Sequence, residues 1–95
     1  MNNMEKWKLV DDLIAASRGI LKPEQTGMLM DLADVGNESD VAISIALDWY
    51  VEGQWTIPQR IFPAIRQWSF AWDETTDIGR SAQRALTYAN HHAIV

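Results

Sequence analysis

The stretch DVAISIALDWYVE, residues 40–52, decides the fold. Ile43, Ile45, Ala46, Leu47, Trp49, Tyr50 and Val51 leave it almost no polar side when it is wound at the helical period. A helix that is apolar around most of its circumference belongs at the centre of a bundle, with neighbours on several sides. Asn37 or Ser39 stands before it as a cap, and Gly53 follows as its stop.

Working outward, the punctuation repeats. Asn2 or Asn3 caps a first helix over about Met4–Arg18, closed by Gly19, with Trp7, Val10 and Ile14 at spacings of three and four beside Leu9 and Leu13. Pro23 with Glu24 marks a second start, because proline suits the first helical position and an acid suits the positive end of the helix dipole. Met28, Leu29, Leu32, Ala33 and Val35 form the apolar face of that helix, and Gly36 ends it.

Beyond Gly53, Pro58 opens a short turn to Phe62, since an interior proline at position 63 would clash with the turn before it. The main fourth helix is expected from Pro63 to Trp72, with Ile61, Ile65, Trp68 and Trp72 on one side. Thr75 or Thr76 caps a last helix over Asp77–Asn90, whose Ile78, Ala82, Ala85, Leu86 and Ala89 form a small-residue face suited to close packing. No stretch alternates with the period of a strand. The expected architecture is all-α: a compact bundle of four to five short helices forming a single helical domain over residues 1–95.

Charge is distributed unevenly. Between Pro23 and Gln59 stand seven acidic residues (Glu24, Asp31, Asp34, Glu38, Asp40, Asp48 and Glu52) and no Lys or Arg. Each flank carries four basic and three acidic residues, so the middle accounts for the excess behind the net charge of −5. A one-sign block attracts basic surfaces and repels nucleic acid. Glu24 and Asp40 lie at helix starts, where carboxylates are favourable. Asp31, Asp34, Asp48 and Glu52 lie near helix ends, where each opposes the dipole by about 0.3–1 kcal/mol. Asp48 and Glu52 also repel one another at i, i+4. Such local violations are enriched at functional positions, although a charge run also serves as a solvated face.

Five tryptophans supply large apolar area. Trp7, Trp49, Trp68 and Trp72 fall on apolar faces and are expected in the core. Trp55 lies in the connection after Gly53, as a loop residue folded over the core or as an interface anchor. Phe70 falls opposite the Ile65/Trp68/Trp72 face, beside Arg66 and Gln67. The segment Leu47–Trp55, LDWYVEGQW, resembles the helix–glycine–loop–helix start of small bacterial immunity proteins. The resemblance covers those nine residues and transfers no role to any of them.

Several function classes find no support. The chain has no cysteine, and its acids match no Ca²⁺ loop and no Glu-x-x-His di-metal signature, so no metal or cofactor is expected. His91 and His92 fall in the last turn of the final helix, where they complement the dipole; as neighbours they point apart and do not share a ligand. Residues 32–44 echo a helix-turn-helix, but the second helix is acidic and lacks the basic footprint of a DNA reader. No nucleophile elbow, phosphate loop or zinc-hydrolase motif is present, and Arg80 and Arg84 read as surface groups with Asp77 as a mate. The chain is therefore expected not to be an enzyme.

Residues 1–8 lack the apolar core of a signal peptide, and no run approaches the ~20 apolar residues of a membrane span. A cytoplasmic protein off the membrane is expected. The functional expectation is a small acidic protein-binding module of the inhibitor, immunity or phage anti-defence kind. It docks Asp31, Asp34, Asp48 and Glu52, with Trp55 as anchor, on a basic nucleic-acid-binding protein. The alternative is a structural or assembly subunit that forms homo-oligomers through apolar helix faces.

Overall fold

The computed structural model describes residues 1–34 and 38–92. Five α-helices and a short 3₁₀ turn account for most of these, with no strand among them: α1 (Asn3–Ala16), α2 (Pro23–Asp34), α3 (Ser39–Gly53), the 3₁₀ turn (Gln59–Ile61), α4 (Phe62–Ser69) and α5 (Asp77–His92). The expected all-α bundle is what the chain forms. No helix among the described residues is long and apolar enough to cross a membrane.

Each helix begins for a local reason. Asn2 Oδ1 accepts from the Glu5 amide at 2.9 Å, while Glu5 Oε1 accepts from the Asn2 amide at 3.1 Å, a reciprocal capping box. At α2 the Gln25 side chain reaches back to the Lys22 amide at 2.9 Å, with Pro23 as first residue. Thr76 caps α5 by accepting from the Gly79 amide at 2.9 Å.

Both ends of α3 differ from expectation. Ser39 lies inside α3, and Glu38 is its cap through the backbone alone; Val35, Gly36 and Asn37 lie outside the described residues. At the other end of α3 the left-handed residue is Gln54 (φ 56°, ψ 39°), not Gly53. The Trp55 amide donates to Tyr50 O at 2.9 Å and the Gln54 amide to Val51 O at 3.2 Å, the paired bonds of a Schellman closure. The Trp55 ring then meets Tyr50 edge-on, centroids 5.4 Å apart. Gly53 is required for a different purpose, since a Cβ there would collide with the Trp55 indole.

α4 stops at Ser69 rather than Trp72, because the chain tightens into i→i+3 bonds from Ala71 to Trp68 and from Trp72 to Ser69. α1 likewise stops at Ala16, where Ser17 Oγ donates to Leu13 O at 2.9 Å and a turn through Gly19 (φ 90°) redirects the chain.

α3 occupies the centre, packed against α1, α2 and α5. Ala42, Ile43 and Leu47 are wholly buried, as is Leu13 from α1, Leu29 from α2 and Trp68 from α4. Against α3 the small face of α5 (Ala82, Ala85, Ala89) packs closely, as its composition predicts. Two polar contacts thread the core. Tyr50 Oη donates to Leu13 O at 2.5 Å, tying α3 to α1. The Asp40 carboxylate accepts from Trp68 Nε1 at 2.8 Å and from Lys6 Nζ at 3.1 Å, tying α3 to α4 and α1.

Candidate interaction surface

α1 and α2 form an antiparallel hairpin, because Trp7, near the start of α1, donates its indole N–H to Ala33 O, near the end of α2, at 3.0 Å. That bond satisfies one of the carbonyls a helix end leaves without an internal partner. It also holds the indole at the rim of the seam: Trp7 is 43 % exposed. The expectation of a core Trp7 is therefore corrected. The α1 stripe is wider than its contact; Leu9, Val10 and Leu13 fill the core, and Trp7 falls at the stripe's edge.

Met30 faces Trp7's helix from α2 and is 47 % exposed. Between the two helices runs a narrow cleft of about 60 Å³, walled by Trp7 and Met30, floored by Val10 and Ala33, with Asp11 and Asp34 at its edges. Each helix thus contributes one large apolar side chain and, four residues later on the same face, one aspartate. Asp31 stands beside Met30 and is exposed. Among the described residues none of Asp11, Asp31 and Asp34 has an ion pair, whereas the basic side chains with carboxylate partners are engaged elsewhere.

The five residues singled out by sequence divide between two seams. Asp31 and Asp34 lie on α2, at or beside the Trp7–Met30 cleft. Asp48 lies between α3 and α5, its Oδ2 accepting from Ser81 Oγ at 3.1 Å and its Oδ1 lying 3.6 Å from Arg84 Nη1. Glu52 is exposed one turn further on, without an ion pair among the described residues. Trp55 is half-buried over Tyr50, and its carbonyl accepts from Tyr88 Oη at 2.8 Å, so it is a loop residue folded over the core. α2 and α5 do not touch among the described residues, so the two pairs of acids belong to separate surfaces.

Sequence reasoning missed Trp7, Met30 and Asp11. The available signal was the aspartate four residues after Trp7, which leaves that edge of the stripe polar. Phe70, expected off the apolar face, is 81 % exposed. His91 is exposed at the last turn of α5.

A second, wider concavity of about 620 Å³ lies along α5, lined by Arg80, Gln83, Arg84, Thr87 and Tyr88 together with Val51 and Glu74. No group of three or more His, Asp or Glu side chains among the described residues is placed to hold a metal ion. Comparison with known proteins found no matching family, no similar curated protein and no similar solved structure.

Proposed function

We propose that this chain is a small acidic protein-binding module of the inhibitor or immunity kind. It acts in the cytoplasm by docking its α1–α2 seam on a basic, nucleic-acid-binding protein, and it is not an enzyme. The observation that carries the reading is the pairing of exposed Trp7 and Met30 with Asp11, Asp31 and Asp34, none of them ion-paired among the described residues. Asp31 and Asp34 occupy the last turn of α2, which holds no basic residue, so they oppose the helix dipole without local compensation. A basic partner would supply that compensation. Carboxylates then steer encounter, and an aromatic side chain with a sulfur-bearing neighbour supplies adaptable apolar contact.

Self-association through apolar helix faces is the second reading, favoured by the exposure of Met4, Ile20, Met28 and Met30. A two-fold contact through the seam would bring its aspartates towards their own copies, which makes a basic partner the better fit.

The test is capture of basic proteins from the native host, followed by titration of the purified partner at several salt concentrations. W7A is expected to weaken binding by about 2 kcal/mol or more, as for a hot-spot aromatic. The D11N/D31N/D34N variant is expected to flatten the salt dependence. Unchanged affinity and salt slope in both variants would overturn the proposal, and a mass that doubles on concentration would favour the second reading.

A further inference from the structure

We infer that the α5 cleft is a binding site for a small amphipathic anion: a flat apolar body bearing one carboxylate, sulfonate or phosphate group. The cleft is separate from the α1–α2 seam, and the inference does not depend on the docking proposal.

Arg80, Gln83, Arg84 and Thr87 recur at spacings of three and four on α5 and so share one side of it. In a chain of net charge −5, this side puts two arginines into a single concavity with one acid, Glu74. An arginine stays charged at any relevant pH and presents its donors as a planar fork that matches an oxyanion.

Each guanidinium has a partner in the fold, but neither spends all five of its N–H donors there. Arg84 lies 3.6 Å from Asp48 Oδ1, too far for a hydrogen bond, and that oxygen is buried without a hydrogen-bond partner while Oδ2 is held by Ser81. Arg80 donates to the Asp77 carboxylate, in a pair that contributes little because that side chain is 94 % exposed, and to Thr75 O at 3.4 Å; these take two of the five N–H donors of its fork. Both forks therefore retain donors for a ligand, and Gln83 and Thr87 add neutral ones.

The rest of the cleft suits an apolar body. Val51 contributes an aliphatic wall, and Tyr88, whose hydroxyl is committed to Trp55 O at 2.8 Å, contributes its ring. The concavity, about 620 Å³ and largely open to solvent, has room for such a body lying along α5. Glu74 on the same lining sets the preference for a single anionic group, since a second would meet a like charge.

The probe is 8-anilino-1-naphthalenesulfonate, which joins a flat apolar body to one sulfonate, titrated into the ¹⁵N-labelled chain. One-to-one saturable binding is expected, with the largest shifts at the arginine Nε–Hε signals of Arg80 and Arg84 and at the amides of Gln83 and Thr87. Loss of the charge-assisted contacts should weaken binding about tenfold or more, both for R80Q/R84Q and for the neutral analogue N-phenyl-1-naphthylamine on the unaltered chain. Shifts centred on Trp7 and Met30, or equal affinity for the charged and neutral probes, would overturn the inference. The comparison of probes needs no variant, so a folding defect in R80Q/R84Q leaves the test intact.

Discussion

Tyr50 shows how one residue couples burial to pH. Its ring is 1 % exposed, and burial pushes its phenol above the ordinary value of 10.0, against the contrary pull of the Ser17 hydroxyl and the Arg60 charge. The native state therefore holds the phenolic proton more tightly than the unfolded chain does. Stability from this group is intact below about pH 10 and declines above it, where the unfolded chain ionises first. Y50F is expected to make the alkaline limb of the stability profile shallower, measured by urea melts between pH 8 and 11. At neutral pH the same change should cost about 1 kcal/mol, the net worth of one hydrogen bond. The loss stays modest because Leu13 O keeps the Ser17 hydroxyl at 2.9 Å.

At the scale of the helix, two glycines give opposite answers to the same substitution. Gly27 lies in α2 with nothing within 4 Å of where a Cβ would stand, so G27A is expected to stabilise by about 0.5–1 kcal/mol through helix propensity alone. Gly79 lies in the first turn of α5, where a Cβ would run into the Asp73 carbonyl, a backbone atom with no easy escape. G79A is therefore expected to destabilise by about 1–3 kcal/mol despite alanine's better propensity, with paired thermal melts as the check. The helices were largely legible because their signals are local: Asn2 and Thr76 cap, Pro23 starts, and residues 40–52 are apolar around most of their circumference. The site was legible only in part. Whether Trp7 or Trp55 is exposed depends on how wide a neighbouring helix is at that point, and no periodicity within one helix carries that information. Asp40 is similar: its place at a helix start is visible in the sequence, but its bonds to Lys6 and Trp68 span 34 and 28 residues.

For the whole molecule, the unequal embedding of the helices sets an order of opening. α3 packs against three other helices, while α2 meets only α1 and α3 among the described residues. α2 also leaves Met28 and Met30 at 41 % and 47 % exposure. Native-state hydrogen exchange should find the amides of α3 slowest, released only by global unfolding, and those of α2 exchanging through a local opening of lower free energy. A uniform rate across α2 and α3 would contradict that order. One wall of the proposed docking seam would then belong to a helix that opens more readily than α3, where a partner gains by ordering it.

Synthesis from the N-terminus gives the central position of α3 a temporal meaning. α1, α2 and α3 contact one another and can assemble while the rest of the chain is still on the ribosome. The flank of α3 that meets Ala82 and Ala85 has no cover until α5 emerges, so the nascent chain passes through a stage with a bare apolar strip. A chain truncated before Asp77 would keep that strip bare, and exposed apolar surface of this kind favours aggregation.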